Sequence, residues 1–175
     1  MVESARRQLI GRRSKESGAI FERWISNACE YYSNLGIAHI EKTPEPFHVN
    51  RNNKDGTMTG FFEKKGQPDY KGLLCDGTGI MFEAKHTDQE KINQRAVTET
   101  QWKNLDAYEN FGAHCYVMVS IGLVEFYRVP WKIWKQMKEL FGRKYMNAID
   151  LEPYKLKQKN CTILMLEGVV LKNED

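Results

Sequence analysis

Two carboxylates and a lysine lie close together in the sequence, in Pro68-Asp69 and Phe82-Glu83-Ala84-Lys85. Apolar and polar residues alternate from position 79 to 85 as in a half-buried strand, so Glu83 and Lys85 are expected on one face. Hydrolysis of a phosphodiester requires a hard cation held by carboxylate oxygens and a positive group near the attacking water or the phosphate. These residues can supply both, although the same pattern also fits the solvent face of an ordinary hairpin.

The loop between the two predicted strands decides whether Asp69 lies on the same face. The segment that begins at Asp69 is predicted as a strand, and residues 76–79 are predicted as a turn. Directly opposed residues of an antiparallel pair share a face, so a loop with an odd number of residues places Asp69 with Glu83 and Lys85. We predict a three-residue loop, residues 76–78, which pairs Asp69 directly with Lys85.

The totals are those of an ordinary globular domain, but the basic residues are clustered. The chain has 175 residues, 41% hydrophobic and 28% charged, and a formal net charge of +3. Two groups are enriched in basic residues: Arg6, Arg7, Arg12, Arg13 and Lys15 in the first, and Lys132, Lys135, Lys138, Arg143 and Lys144 in the second. Such clusters can contact phosphates. Each alone is equally explained as a solvated tail or helix face.

The spacing of the cysteines and the length of the apolar segments argue against several classes of protein. Four cysteines lie far apart, at positions 29, 75, 115 and 161, which argues against a zinc ribbon or a disulfide framework. No apolar run is long enough to span a bilayer, and the N-terminus lacks a signal-peptide core. We therefore expect a protein of the reducing cytoplasm, without a membrane partner.

The N-terminal region is predicted to be a basic flexible arm, residues 1–13, followed by one domain, residues 14–175. Ser14 or Ser17 can cap a helix that runs to about Leu35. Glu22 lies at the edge of the apolar stripe of this helix. Its carboxylate could extend over a site at the sheet edge, or it could complement the helix dipole as a first-turn acid.

Residues 47–66 form a predicted insertion, which is rich in Asn, Lys and Gly and poor in core residues. Long segments of this kind inside a compact domain are usually functional or disordered. We predict an extended hairpin or flexible arm. Its basic residues suit contact with nucleic acid: Arg51, Lys54, Lys64 and Lys65.

The remaining elements alternate between helices and strands. A first strand is predicted over residues 37–42, two strands over 115–119 and 123–129, and a last strand over 161–171. Thr98 and Gln101 fit a capping box at the start of a second helix, and Pro130 begins a third. This order predicts a mixed α/β layer fold.

Four segments together resemble the RecU family of Holliday-junction resolvases, found in Gram-positive bacteria and their phages, within the PD-(D/E)xK nucleases. These segments are Gly18-Ala19-Ile20-Phe21-Glu22, Ile40-Glu41-Lys42-Thr43-Pro44-Glu45-Pro46, Asp69-Tyr70-Lys71-Gly72 and Phe82-Glu83-Ala84-Lys85. The resemblance covers roughly residues 14–130. It implies a restriction-endonuclease-like mixed sheet flanked by helices, with residues 47–66 as a stalk that enters the centre of the junction.

The resemblance also implies roles for individual residues. Asp69 and Glu83 would be magnesium ligands, with manganese as a second candidate metal, and the Ala84 carbonyl would assist them. Lys85 would orient the attacking water or help to deprotonate it. Two further residues would lie at the active site: Glu22, which would complete the metal site directly or through water, and Gln101. Gln67 and Pro68 depart from the family pattern, which has hydroxyl-bearing residues before the aspartate.

The implied function is resolution of branched, four-way DNA by paired symmetric nicks, during recombination or phage DNA processing. Because two strands must be cut symmetrically, a homodimer is implied. The predicted DNA contacts are Arg12, Arg13, Lys15, Arg51, Lys54, Lys64 and Lys65. Two alternatives remain open: another nuclease of this superfamily that cuts duplex DNA, and a DNA-binding module whose acidic cluster is inert.

Overall fold

The computed structural model describes residues 2–44, 47–62 and 67–169. The helices are α1 (Val2–Asn34), α2 (Glu99–Asn110), α3 (Trp131–Lys135), α4 (Met137–Phe141) and α5 (Ala148–Leu151). The strands are β1 (Ala38–Lys42), β2 (Phe47–Asn52), β3 (Met58–Phe62), β4 (Tyr70–Leu74), β5 (Gly79–Thr87), β6 (Lys91–Asn93), β7 (His114–Ile121), β8 (Glu125–Pro130), β9 (Tyr145–Asn147), β10 (Gln158–Lys159) and β11 (Thr162–Ile163).

A five-stranded mixed sheet forms the centre of the fold, in the order β1-β4-β5-β7-β8. All neighbouring strands are antiparallel except β5 and β7, which run parallel. A parallel pair needs a crossover connection, and here the crossover contains β6 and α2. The crossover therefore brings the start of α2 back over the strand that carries Glu83 and Lys85.

Helices cover both faces of this sheet. On one face, α1 packs against β5 through buried apolar side chains, which include Phe21, Ile25, Ala28, Tyr32, Ile80 and Phe82. On the other face, α2 and α3 pack against β7, through residues that include Leu105, Val117, Val119, Trp131 and Trp134. Helices cover both faces of β5. Its side chains therefore point alternately into two different cores, and not alternately into a core and into solvent. The predicted mixed α/β sheet flanked by helices is confirmed.

The helix α1 begins much earlier than the sequence predicts. Its 33 residues start at Val2, so residues 2–13 continue the helix and are not a separate flexible arm. Residues 12–16 are exposed along it. The prediction relied on a serine cap, but Ser14 and Ser17 lie within the helix. Eight of the twelve residues from 2 to 13 are Arg, Glu, Ala, Gln or Leu, which favour helix, and four of them are arginines.

The predicted insertion contains a hairpin that is separate from the central sheet. Strands β2 and β3 pair antiparallel, from Phe47 opposite Phe62 to Asn52 opposite Met58, and the register shifts between Val49 and Arg51. All six residues of β2 are exposed. The hairpin part of the prediction is thus confirmed for residues 47–62, whereas residues 63–66 lie outside the described residues.

The hairpin of β4 and β5 has the predicted parity but not the predicted register. Tyr70 pairs with Phe82 and Leu73 with Gly79, so five residues separate the paired strands instead of three. The turn is wider because Asp76 accepts a hydrogen bond from the Thr78 backbone N–H at 2.8 Å, and Gly77 has a φ of +85°. The number of loop residues remains odd, so positions 69 and 83 lie on the same face.

The C-terminal region differs from the long strand predicted over residues 161–171. The described part, to residue 169, contains the two-residue strands β10 and β11, followed by turns. Asn160 and Cys161 both have positive φ, at 50° and 61°, because they form the tight connection between these strands. Within the described residues, no helix is both long and apolar enough to cross a membrane.

Candidate active site

Asp69 lies at the point where the insertion returns to the sheet. Its backbone oxygen accepts a hydrogen bond from the Thr43 N–H at 2.9 Å, which extends the pairing of β1 with β4. Its Oδ2 accepts a hydrogen bond from the Ala84 N–H at 3.1 Å. The carboxylate is almost fully buried. These contacts hold Asp69 against β5 beside Glu83.

The Asp69-Tyr70-Lys71-Gly72 segment has structural reasons for two of its other residues. Tyr70 is buried, stacks on Phe82 with ring centroids 4.9 Å apart, and donates a hydrogen bond to the Glu22 backbone oxygen at 2.8 Å. A Cβ at Gly72 would overlap the His39 carbonyl oxygen of β1. Tyr70 therefore ties the strand to α1, and Gly72 permits β1 to approach it closely.

Glu83 is the most buried charged group among the described residues of the site. Its Oε2 accepts hydrogen bonds from Lys85 Nζ at 2.9 Å and from the Gln101 side-chain amide. Its Oε1 is buried and has no hydrogen-bond partner among the residues that the structure describes. Burial raises the pKa of Glu83 to about 8, Lys85 opposes this shift, and Asp69 adds to it. Burial thus favours the protonated form of Glu83 near neutral pH, and a divalent cation bound beside it would favour the ionised form.

Lys85 lies between the two carboxylates. Its Nζ is 2.9 Å from Glu83 Oε2 and 3.6 Å from Asp69 Oδ2. The Lys85 side chain is 17% exposed, which makes it the most exposed of the three residues. The three predicted catalytic residues Asp69, Glu83 and Lys85 are thus brought together.

Gln101 has two structural roles at once. It forms the predicted capping box with Thr98, whose backbone N–H donates to Gln101 Oε1 at 3.0 Å. The Nε2 of the same amide donates to Glu83 Oε2. The cap thus fixes the orientation of the amide that contacts the carboxylate. The capping role and the active-site role are compatible rather than competing.

Glu22 does not join this cluster. Its Oε2 accepts a hydrogen bond from Lys42 Nζ at 2.7 Å, on the side of the sheet that α1 covers. Among residues 2–44, 47–62 and 67–169, no three His, Cys, Asp or Glu side chains converge as a metal cluster would. Direct ligation by Glu22 therefore has no geometric support in this structure. The sequence did not predict Lys42 as the partner of Glu22, because nothing in the sequence of β1 indicates a contact with a residue 20 positions earlier.

The predicted DNA-binding residues lie on two separate elements. Arg12, Arg13 and Lys15 are exposed on α1, and Arg51 and Lys54 are exposed on the β2–β3 hairpin. Lys64 and Lys65 lie outside the described residues. Their positions do not show whether DNA bound to them would reach Asp69 and Glu83. Their role in DNA binding therefore stays a prediction.

The second basic cluster of the sequence is divided in the structure. Lys135 contacts Asp106 at 2.8 Å and Glu109 at 2.7 Å, and Arg143 contacts Asp150 at 2.5 Å. These two charges are therefore compensated. Lys144, by contrast, forms no ion pair with any residue that the structure describes.

The donor set at Asp69 and Glu83 fits a hard divalent cation. Two carboxylates share one face, both are buried, and Glu83 Oε1 has an unused acceptor. Magnesium commonly takes one or two carboxylates together with water and phosphate oxygens, so a third protein carboxylate is not required. Replacement of the Lys85 ammonium by a cation would also stabilise the ionised form of Glu83.

Several known proteins are similar to this chain. The Holliday junction resolvase RecU of Streptococcus gordonii is 28% identical over 120 residues, 65% of this chain and 60% of the relative. That of Staphylococcus saprophyticus is 26% identical over 142 residues, 77% of this chain and 68% of the relative. A solved structure of Hjc, a Holliday junction resolvase from Archaeoglobus fulgidus, is 14% identical, covering 81% of this chain and 91% of that one, with a TM-score of 0.47.

The chain thus spans about three fifths of the length of the Streptococcus gordonii relative. The model of one protein family, RecU, described as Recombination protein U, matches residues 16–170. The match includes the α1 helix from residue 16, both carboxylates, Lys85 and Gln101, and it extends over both faces of the central sheet. The chain therefore belongs to the RecU family.

Proposed function

We propose that this chain is a divalent-metal-dependent endonuclease that resolves four-way DNA junctions. The observation that carries the proposal is the convergence of Asp69, Glu83 and Lys85 at one end of the β4–β5 hairpin. The family match and the names of the curated relatives, Holliday junction resolvase, support junctions as the substrate. Magnesium is the proposed metal, with manganese as the second candidate.

Asp69 and Glu83 would hold the metal ion, and the Ala84 carbonyl is the proposed third protein oxygen. Bound there, the ion would neutralise charge on the scissile phosphate and lower the pKa of an attacking water. For this, Glu83 has to lose its proton, because only the carboxylate is a good ligand. The hydrogen bond from Gln101 keeps Glu83 Oε2 in place during that change.

Lys85 is proposed to act on the water or on the phosphate. Its ammonium lies between the carboxyl groups of Glu83 and Asp69, at 2.9 Å and 3.6 Å. A divalent cation held by Asp69 and Glu83 would supply the positive charge that the ammonium now contributes there. The Lys85 side chain is partly exposed, and its ammonium could then orient the attacking water or contact a phosphate oxygen.

DNA binding is proposed to involve the exposed basic residues of α1 and of the β2–β3 hairpin, together with Lys64 and Lys65. Because these residues would bind DNA through its phosphates, the affinity for a junction should fall steeply as the salt concentration rises. Two symmetric nicks need two active sites, so the proposed functional unit is a homodimer.

The test is a cleavage assay on a synthetic four-way junction, a duplex of matched sequence and a single strand, each with magnesium, manganese or EDTA. We expect paired, symmetric nicks in the junction only, and only with a metal. Asp69→Asn and Glu83→Gln should abolish cleavage while junction binding is largely retained. Asp76→Asn is the matched control, since Asp76 lies in the exposed turn of the same hairpin and an Asn side chain can still accept from Thr78.

The same assay separates the alternatives. Equal cleavage rates for duplex and junction would identify a duplex-cutting nuclease of this superfamily. Absence of metal-dependent cleavage of all three DNA forms would leave a DNA-binding module with an inert acidic cluster. Full cleavage by Asp69→Asn would show that the chemistry is carried elsewhere.

A further inference from the structure

A cavity of about 500 Å³ is lined by residues that are not part of the candidate active site. It is lined by Asn93, Gln94, Arg95, Val97, Trp102 and Lys144. This volume is within the range of small-molecule binding pockets. We refer to it as the Trp102 cleft. Trp102 directly follows Gln101 in α2, so the cleft is one residue along the helix from the amide that contacts Glu83.

The cleft combines an aromatic ring with two basic side chains. Trp102 is held in place by an edge contact with the Trp131 ring, with centroids 4.7 Å apart, and it is only partly buried. Arg95 and Lys144 are exposed, and neither forms an ion pair with the described part of the chain. A fixed indole with two uncompensated cations matches the chemistry of one nucleotide, a flat base and a phosphate.

Hydrogen bonds of Gln94 fix the backbone segments that form the wall of the cleft. The Gln94 backbone N–H donates to the Lys144 carbonyl at 2.9 Å, which joins the two segments that carry the basic residues. The Gln94 side-chain amide donates to the Trp134 carbonyl at 2.8 Å and to the Lys135 carbonyl at 3.1 Å. Gln94 therefore anchors the backbone of the cleft wall to Lys144 and to α3.

The charge around the cleft favours an anionic ligand. Lys91 and Arg143 both lie over the ring of Tyr145, at 4.8 Å and 4.9 Å from its centroid. Tyr145 pairs with Asn93, which lines the cleft. Glu99, the acidic residue in the first turn of α2, is paired with Lys103 at 2.8 Å. Arg143 is compensated by Asp150, so the positive charge near the opening comes from Arg95, Lys144 and Lys91, which form no ion pair with the described residues.

We propose that the Trp102 cleft binds one unpaired nucleotide of a DNA strand, with the base against Trp102 and the phosphate against Arg95 and Lys144. An unpaired nucleotide is required, because stacking on a side chain needs an exposed base face. The proposal rests on the proposed function only for the choice of DNA as the ligand. It does not require the metal site.

The experiment measures binding of a fluorescein-labelled oligothymidylate to the full chain in EDTA, by fluorescence anisotropy over a range of salt concentrations. For Arg95→Ala/Lys144→Ala we expect weaker binding and a salt dependence shallower by about one unit of log K per log salt. For Trp102→Leu we expect about tenfold weaker binding with an unchanged salt dependence, since a stack and not a charge is lost. Trp102→Phe should retain most of the affinity.

Lys132→Ala/Lys159→Ala is the matched control, because it removes two exposed lysines outside the cleft that also form no ion pair with the described residues. If this control and Arg95→Ala/Lys144→Ala weaken binding equally, the cleft is not the site. Should Trp102→Leu fail to fold, the Arg95→Ala/Lys144→Ala result and photocrosslinking decide. An oligonucleotide with 5-iododeoxyuridine should crosslink to Trp102, and crosslinks only elsewhere would overturn the proposal.

Two further outcomes separate the sources of the ligand and the two proposals. Thymidine monophosphate that competes at the same concentration as the oligonucleotide would overturn the assignment to a DNA strand in favour of a free nucleotide. Unchanged binding by Arg95→Ala/Lys144→Ala would overturn the cleft proposal and leave metal-dependent cleavage unaffected. Retained cleavage by Asp69→Asn would remove the proposed function and leave the binding result unaffected.

Discussion

The side-chain amide of Gln101 donates a hydrogen bond to Glu83 Oε2, and its oxygen accepts from the Thr98 backbone N–H. One amide thus connects the start of α2 to the buried carboxylate of β5. The parallel crossover between β5 and β7 makes this contact possible, because it returns the chain over the strand that it has just left. The orientation of the carboxylate therefore depends on the helix cap.

Removal of the Gln101 amide should weaken both stability and cleavage. Gln101→Ala should lower the free energy of unfolding by about 1–3 kcal/mol, because buried Glu83 loses a donor. Thr98→Ala should cost about 1 kcal/mol, since it removes only the cap. Cleavage by Gln101→Ala should fall about 10- to 100-fold, as for other residues that orient a metal ligand. Urea titrations and the junction assay measure these effects. Equal stability losses for the two variants would contradict a stabilising contact between Gln101 and Glu83.

The raised pKa of Glu83 predicts a stability that falls as the pH rises. The pKa is about 8 in the folded chain and has the ordinary value of 4.5 in the unfolded chain. Between these values the folded chain keeps a proton that the unfolded chain has lost, so the free energy of unfolding falls by about 1.4 kcal/mol per pH unit. Outside this window the contribution is constant.

Glu83→Gln provides the check on this pH dependence, because glutamine does not titrate. In metal-free buffer, the stability of the variant relative to the unmodified chain should increase steadily from pH 4.5 to about 8. Urea titrations at several pH values in this window measure the difference. A difference that does not change with pH would show that the carboxyl is already ionised in the folded chain.

Binding of a divalent metal should release a proton from Glu83. At neutral pH the carboxyl is protonated in the metal-free site, and only its ionised form is a ligand, so about one proton should leave per metal ion. Calorimetric titration of magnesium or manganese in buffers of different ionisation enthalpy counts this proton. Binding without proton release would contradict the raised pKa, and Asp76→Asn should behave as the unmodified chain does.

Neutralisation of Lys85 should separate metal binding from cleavage. Lys85→Gln removes the ammonium that lies 2.9 Å from Glu83 and 3.6 Å from Asp69, so metal affinity should increase. Cleavage should nevertheless fall by about 10²–10⁴-fold, because the group proposed to act on the water is lost. Calorimetry and the junction assay measure the two effects. A loss of metal affinity in this variant would instead identify Lys85 as a support of the carboxylates.

A methyl group at Gly72 should disrupt the pairing of β1 with β4. The added Cβ would overlap the His39 carbonyl oxygen, so Gly72→Ala should cost about 1–3 kcal/mol. Gly18→Ala is the control: it lies within α1 with no atom within 4 Å of the added Cβ, and it should stabilise the chain by about 0.5–1 kcal/mol. Thermal unfolding measures both. An unchanged Tm for Gly72→Ala would mean that β1 can move away.

The sequence correctly predicted that Asp69 and Glu83 share a face. The loop has five residues instead of three, but both numbers are odd, and only an odd or even number decides the face. The sequence could not predict the register, since the closing bond from Thr78 to the Asp76 side chain is one of several that an Asp-Gly turn allows. The predicted start of α1 was wrong, because serine is tolerated inside a helix when the other residues favour helix. The Glu22–Lys42 contact and the Trp102 cleft depend on packing between distant segments, which no local pattern encodes.

The hydrogen bond from Thr43 to Asp69 closes the insertion at its base. Because the two ends of the intervening segment are pinned to each other, the number of residues between them can change without altering the spacing of β1 and β4. The reach of the arm and the placement of the carboxylate are therefore separable properties of this chain. Loops of other lengths could be exchanged at this point while Asp69 keeps its position beside Glu83.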